Sequence, residues 1–477
     1  DMISHEEKVK FDKEYVEKYT LGFDKLRDHV QPFTPEWAYG ITTLDPNVIR
    51  ETAKEMANAS PAVIVHPGRH VTWYGDDTQR LRAVAILNAL LGSWGRRGGF
   101  YLPEAREIPE YPHPPFPEIR RSWRDVLGDR YPFADLPLAN GIIDGSIPGY
   151  LNNFQYRGWI VNGSNLNMTM PDTRKTLEAI QHLDLLVVID TMPMEITGWA
   201  DVVLPECTYL ERYDVFRNDH HREPVIALRM PAAEPKYDSK PGWWIARELA
   251  RTMGFGAYFD WNTFEDFLDY KLRRMDTSLE EMKKIGVKKY PREAGEPYFS
   301  ETNPPVFDTP SGKIELWSSQ LEQAGFDPLP VYTPHEEPPE GFYRLIYGRT
   351  QSHTFSRTAN NPNLAAIMPD NSIWVNPKVA ANWQLKEGQE VWLKNQDGII
   401  TPFPSRIRIT ERIRWDSVYI VHGFGHTESQ LTRAYAKGVS DAALITKVHT
   451  DPLMGGTGMR GNFVTFITEK PGKEVVA

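Results

Sequence analysis

The sequence predicts an α/β fold built on a parallel, Rossmann-like sheet, followed by a C-terminal β-barrel. Three observations predict it. In residues 158–214 an apolar run, GWIVN, ends in Asn162-Gly163-Ser164-Asn165, a helical pattern follows, and a second apolar run, LLVVI, stops at Asp190-Thr191. Strand, polar turn, helix, strand, polar turn is the grammar of a parallel βαβ unit. Beyond residue 342 helical periods fade, and the runs YRLIYG, SIWVN, EVWLKN, SVYIV and NFVTFITE alternate with turn signals such as Glu387-Gly388 and Asp397-Gly398, the pattern of a barrel. Between the two lies a proline-rich stretch, VYTPHEEPPEG, with the character of a linker. The expected division is an α/β region over 1–335, in which a segment at about 255–335 returns from a neighbouring domain, and a barrel over 336–477.

Taken in order, the chain opens at Asp1 without an initiator Met and runs at once into charged helical sequence, HEEKVKFDKEYVEKY, with no cap before it. This reads as a piece of a longer chain. Asp45-Pro46 is an N-cap followed by Pro at the first helical position, and Val48, Ile49, Thr52, Ala53 and Met56 give the helix an apolar face. Residues 61–65 form a short apolar run, expected as a strand, that stops at His66-Pro67-Gly68-Arg69-His70. A helix over about 78–91 follows, with Leu81, Val84, Ala85, Asn88 and Leu91 on one stripe, and GSWGRRGGF ends it. Residues 103–150, rich in Pro and aromatics, read as an ordered surface excursion. Helices are expected over 242–253 and 264–275, and a charged helix with loop sequence and the turn TPSGKIELWS over 276–335.

Composition narrows the function classes. The 477 residues, with a formal charge of −10, can bury cores for roughly two to four domains. The acidic balance argues against a nucleic-acid partner, and no apolar run approaches the ~20 residues of a membrane helix, so no direct membrane insertion is expected. Cys207 stands alone after an apolar strand, where an inert buried thiol is the plain reading. In open α/β sheets ligands gather beyond the carboxyl ends of the strands, where Asn165, Asp190 and Thr191 would stand. That is a nucleotide-type site.

The stretches TWYGDDTQRLRAVAILNALLGSWGRRGGF, WIVNGSNLNMTMPD and VVIDTMPMEITGWADVVLPECTYLER, in that order, resemble the catalytic subunits of the DMSO reductase superfamily, molybdopterin oxidoreductases that bind molybdenum, or tungsten, through two molybdopterin guanine dinucleotides. LIYGRTQSHTFSRTANNPNL, WVNPKVAANWQLKEGQEVWLKN and VHGFGH resemble that superfamily's C-terminal cofactor-capping domain, a barrel of the double-psi type. The resemblance covers essentially the whole chain and leans toward polysulfide and thiosulfate reductases. It implies an N-terminal domain carrying a [4Fe-4S] cluster on four Cys, and a segment supplying the metal ligand. Neither is in this sequence, so the chain is expected to be about the C-terminal two thirds of such an enzyme, with no metal ligand of its own; Cys207 does not match the ligand position.

The resemblance also assigns residues. Asp190, with Ile189 and Thr191 beside it, matches a guanine-reading acid, and Asn165 the amide of a Gly-x-Asn turn; Asn162 and Ser164 read equally as turn formers. Arg212 aligns with a basic cofactor contact, against the plain reading of a surface arginine, while Gly242 stands where many relatives place an Asp. In the barrel, Gly348 lets backbone approach a ligand, Arg349 can pair with diphosphate oxygens, and Thr350, Ser352, His353 and Thr354 add polar contacts, with a satisfied core histidine as the alternative for His353. His422-Gly423-Phe424-Gly425-His426 and Arg460 fall where relatives add pterin contacts; Gly438-Val439-Ser440-Asp441 departs from the Asn found there in relatives. Pro67, Gly68 and Val71 match a turn near the metal and one pterin. Within it Arg69 would hold an anionic sulfur substrate and His70 would protonate the leaving sulfide.

The implied chemistry is reductive, with electrons arriving through iron–sulfur clusters and an S–S bond cleaved. The implied partners are an iron–sulfur electron-transfer subunit and an integral-membrane, quinol-oxidising anchor, on the periplasmic side of a bacterial inner membrane. Two alternatives stand beside this: a tetrathionate, arsenate or nitrate reductase or formate dehydrogenase with the same cofactor, and a metal-free scaffold subunit of a respiratory complex.

Overall fold

The computed structural model describes residues 11–68, 71–118, 130–134, 139–151 and 154–472. Its first half is mixed α/β. Three parallel strands, β1 (Gly158–Asn162), β2 (Leu185–Asp190) and β3 (Val202–Pro205), pair in chain order. Trp159 stands opposite Leu186, Val161 opposite Val188, and Asp190 opposite Pro205. The connecting helix, Thr173–Gln181, starts where the Asp172 side chain accepts from Lys175 N, and it packs Ala179 and Ile180 on the Trp159, Val161, Leu186 and Val188 face. Each of these larger side chains stabilises the layer by about 2 kcal/mol through burial. The opposite face is open: Ile160 is 60% exposed, and Leu185 and Val202 are exposed with it.

The helix expected over 78–91 runs Asp77–Leu90. It is buried on two sides: Ile86, Ala89 and Leu90 pack with Val16, Leu26 and Leu316, whereas Leu87 and Leu91 meet Ala53, Met56, Val63 and Val65. Ala85, expected on the buried stripe, faces out, as does Val48 on the preceding helix Pro46–Ala59. Residues 61–65 are a correction. They join no sheet, because the Asn88 amide takes the place of a neighbouring strand: its Oδ1 accepts from Val65 N and its Nδ2 donates to Val65 O, both at 2.9 Å. The Thr20–Leu21 and Ile314–Glu315 segments pair in parallel, which ties residues near 315 to the N-terminal helices. The segments Arg217–Asp219, Val225–Ala227 and Val287–Lys289 form an antiparallel sheet over the helices Phe264–Arg273 and Leu279–Ile285. The helix Gly242–Thr252 also stands where expected.

The second half closes into a six-stranded barrel. Its strands are β4 (Tyr343–Gly348), β5 (Ile373–Val375), β6 (Glu390–Asn395), β7 (Ser405–Ile409), β8 (Ser417–Val421) and β9 (Phe463–Ile467), in the order β5-β7-β6-β9-β4-β8. β4 and β8 run parallel, as do β5 and β7, and the remaining neighbours are antiparallel. Alternate residues such as Val391 and Leu393, or Leu345 and Tyr347, fill the interior. β7 was not read from the sequence. Among the described residues no helix is long and apolar enough to cross a membrane.

Candidate functional site

The strands of the sheet end in polar residues. β1 runs into Gly163, whose φ of 61° turns the chain while its N–H donates to Ile189 O at 2.9 Å. Asn165 follows, 5% exposed, at the start of the short helix Leu166–Thr169. Its side chain does not cap that helix. β2 ends at the half-buried Asp190, whose Oδ1 accepts from Thr191 N (2.6 Å) and Met192 N (3.3 Å). Burial raises the pKa of this carboxyl, opposed by those two N–H groups and, least, by the positive charge of Arg357 in the barrel half. Ile189 is buried and Thr191 exposed.

The turn after β2 carries Glu195, 8% exposed. Its Oε2 accepts from Asn165 Nδ2 at 2.6 Å, and its Oε1 accepts from His426 Nδ1 (2.9 Å) and from Thr427 N (2.9 Å) in the barrel half. The other nitrogen of His426 meets Ser356 O at 3.1 Å. Burial alone would raise the Glu195 carboxyl, but the bonds and charge of His426 and the Asn165 amide outweigh it and bring its pKa down to about 2. Glu195 therefore joins the strand-end site to the barrel. A cavity of about 440 Å³ lies along this seam, lined among others by Asn167, Glu195, Trp199, Gly425 and Ser440.

In the barrel, a Cβ on Gly348 would stand 3.1 Å from the Tyr419 ring, so glycine fits where β4 ends. Arg349 is exposed, with its guanidinium 5.0 Å from the Phe355 ring centre. Thr350 Oγ1 accepts from Ser352 N, and Thr354 N donates to Thr358 Oγ1. His353 has the contacts of a satisfied core histidine. It is buried edge-on to Phe424, with Nε2 at 2.8 Å from Met368 O and Nδ1 at 3.3 Å from Thr358 Oγ1, so neither ring nitrogen is left for a ligand.

His422 is held differently. Its Nδ1 lies 2.6 Å from Oδ2 of Asp441, which is 2% exposed, and the charge of Asp441 raises the His422 pKa against burial and the nearby Arg349. Gly423 takes a φ of 90° beneath the Phe355 backbone. Arg460 lies over the rings of Trp73, Tyr74 and Tyr347, and its N–H donates to Trp73 O. That contact ties the barrel to the turn after residue 66. In this turn Pro67 is partly buried, Gly68 has a φ of 60°, and Val71 O accepts from Arg80 Nη1 at 3.0 Å. Arg69 and His70 lie outside the described residues.

Arg212 is committed within the protein: Nη1 lies 2.7 Å from both Glu206 Oε1 and Cys207 O, and Nε 2.9 Å from Asp214 Oδ1. A Cβ at Gly242 would come within 2.3 Å of Glu206 Oε1, so the glycine makes room for that carboxylate. These groups share a cavity of about 370 Å³ with Asn162 and an aromatic wall of Trp243, Trp261, Phe264 and Phe267. Cys207 is a buried free thiol whose pKa burial raises.

Residues 34–252 match the model of the molybdopterin oxidoreductase family, and residues 343–462 that of the molydopterin dinucleotide binding domain. The chain belongs to the molybdopterin oxidoreductases. It is 28% identical to the thiosulfate reductase molybdopterin-containing subunit of Salmonella typhimurium, over 93% of this chain and 63% of that protein. It is 23% identical to formate dehydrogenase H of Escherichia coli, over 86% of this chain and 58% of that protein. The acetylene hydratase structure from Pelobacter acetylenicus superposes with a TM-score of 0.81 at 21% identity, over 96% of this chain and 68% of that one, which establishes the shared fold. The chain thus spans less than two thirds of the length of these curated relatives.

The donor set fits the dinucleotide of a molybdopterin cofactor. Such a group presents base edges, hydroxyls and a diphosphate, and the candidate residues have the chemistry to match them: the Asp190 carboxylate, the exposed Arg349 and a buried Asn165 Oδ1 that has no hydrogen-bond partner. Sequence reasoning missed Glu195 and Arg357, and it did not connect Asp441 with His422. Glu195 gave one signal, an acid among apolar neighbours in PMEIT.

Proposed function

We propose that the chain is the cofactor-holding part of the catalytic subunit of a molybdenum or tungsten bis(molybdopterin guanine dinucleotide) oxidoreductase that reduces polysulfide or thiosulfate. The observation that carries the cofactor reading is the meeting of the two family-matched segments: Asn165 at the end of the first strand is joined through Glu195 to His426 of the barrel half, and Asp190 lies within the influence of the Arg357 charge. When bound, the metal centre supplies two-electron redox chemistry. In this reading Asp190, Thr191 and Asn165 hold base and ribose, and Arg349 pairs with diphosphate oxygens. Gly348, Gly423, Pro67, Gly68 and Val71 bring backbone close to the cofactor, with His422 and Arg460 nearby. Arg69 would hold the anionic sulfur substrate, and His70 would give a proton to the leaving sulfide, roles that rest on the sequence.

The substrate reading is supported by the match to the thiosulfate reductase subunit over 93% of this chain. A [4Fe-4S] cluster on a further domain, an iron–sulfur partner subunit, a quinol-oxidising membrane anchor and a periplasmic site belong to the same proposal. The test is metal and nucleotide analysis of the intact native protein. About one molybdenum or tungsten and two guanine nucleotides per chain are expected, with reductase activity on polysulfide or thiosulfate exceeding that on tetrathionate, arsenate or nitrate. Absence of both metal and nucleotide would overturn the reading in favour of a scaffold subunit.

A further inference from the structure

Glu195 has no part in the chemistry above, yet its two oxygens are used unequally. Oε1 accepts from His426 Nδ1, Thr427 N and, at 3.4 Å, Glu428 N, all in the barrel half, whereas Oε2 accepts from Asn165 Nδ2. An ionised carboxylate can only accept, and an amide has one donating end and one accepting end. Asn165 must therefore turn Nδ2 toward Glu195 and leave Oδ1 as its free end. That oxygen is buried and has no hydrogen-bond partner. Two residues on, Asn167 Oδ1 is in the same condition, and Asn167 lines the seam cavity together with Glu195. Both buried oxygens without partners on this stretch are acceptors.

We infer that Glu195 is a positioning residue that locks the Asn165 amide as a hydrogen-bond acceptor, so that the nucleotide group it meets is an N–H or O–H donor of the base or ribose, never a phosphate oxygen. The inference rests on the proposed function, since it takes Asn165 to lie in the nucleotide site. Barrel docking and ligand polarity are then one device: the three barrel donors fix Oε1, Oε1 fixes which oxygen faces Asn165, and that contact fixes the amide.

The polarity can be reversed without changing shape. In Glu195→Gln the amide oxygen stays with the three barrel donors, so Nε2 points at Asn165, which flips to accept from it and turns Nδ2 toward the ligand. In Glu195→Gln with Asn165→Asp, one carboxylate oxygen accepts from Gln Nε2 and the other again faces the ligand. The experiment measures guanine nucleotide retained per chain in the native protein, and affinity of the cofactor-free full chain for GDP, inosine diphosphate and 2′,3′-dideoxyguanosine diphosphate. Glu195→Gln should lower nucleotide retention and GDP affinity about tenfold or more. The double variant should recover both while sharing the single variant's lower unfolding midpoint, which a merely structural role for Glu195 would not produce. A preference for GDP over inosine diphosphate that is present in the wild type and lost in Glu195→Gln identifies a base amine as the donor to Asn165, and a preference over the dideoxy nucleotide lost in the same way a ribose hydroxyl. Unchanged nucleotide in Glu195→Gln, or a double variant no better than the single one, overturns the inference. A wild-type protein without guanine nucleotide or GDP binding overturns the proposed function instead, and the inference with it.

Discussion

Acidification should uncouple the strand-end site from the barrel, and Glu195 sets how much stability is lost. Its pKa falls from 4.5 in the unfolded chain to about 2 in the folded one. A drop of about 2.5 units, at about 1.4 kcal/mol per unit, makes the ionised group worth about 3 kcal/mol to the folded state. The carboxyl is almost wholly enclosed, so solvent screening takes little from this figure. The sign follows from the direction of the shift: a depressed carboxyl contributes fully above pH 4.5 and loses its contribution as pH falls toward 2. The assay compares urea-unfolding free energies of wild type and Glu195→Gln from pH 7 downward. The variant should be less stable by up to about 3 kcal/mol at pH 7, with the gap closing through the window from pH 4.5 toward 2. A gap that is absent at pH 7, or constant down to pH 3, would refute the argument that this buried carboxylate is held ionised by its barrel partners.

Further predictions follow from the same geometry. Asp190→Ala should lower guanine nucleotide content, measured after acid release from the native protein; unchanged content removes Asp190 from the site. Asp441→Asn should abolish a stability term of His422 that is fully present below pH 6.5 and lost as pH rises through its elevated pKa, so the pH dependence of unfolding above 6.5 should flatten in the variant. Gly423→Ala would force a Cβ to within 2.4 Å of the Phe355 backbone at a φ of 90°, and should cost at least about 1–3 kcal/mol in urea unfolding. Asn88→Ala leaves Val65 N–H and C=O without the amide that serves them, and should cost about 2 kcal/mol while raising hydrogen exchange at the Val65 amide.

The parts of the fold that were legible are those whose signal is local and periodic. Val391 and Leu393 alternate with Trp392 and Lys394 along β6, and only a strand with one buried face requires that. β7 carries the same alternation, with Ser405, Ile407 and Ile409 inward and Arg406 and Arg408 outward, so its signal was present in the sequence and was passed over. The run 61–65 misled for a different reason. Apolar residues mark burial, but they do not say whether a neighbouring strand or the side chain of Asn88 will satisfy the backbone. Nor does an unbroken apolar strand tell whether both its faces are covered, and β1 leaves Ile160 in the open.

The candidate site divides along the same line. Asn165 and Asp190 stand at strand ends, positions that a local pattern marks, because a backbone leaving the ladder exposes polar groups there. What orients Asn165 is not local: Glu195 and His426 are 231 positions apart, and the charge of Arg357 acts on Asp190 from the other half of the chain. His353 and His426 make the point most sharply. Each is a buried histidine in a turn of the barrel half, with both ring nitrogens engaged. One closes its own loop through Thr358 and Met368, whereas the other grips a carboxylate of the α/β half and, through it, the amide of Asn165. Their roles differ only in which oxygen the fold brings to the ring, and that is settled by docking of the two halves. A site assembled at such a seam is read from sequence as separate polar positions; its polarity, and with it the kind of ligand group it accepts, is set when the halves meet.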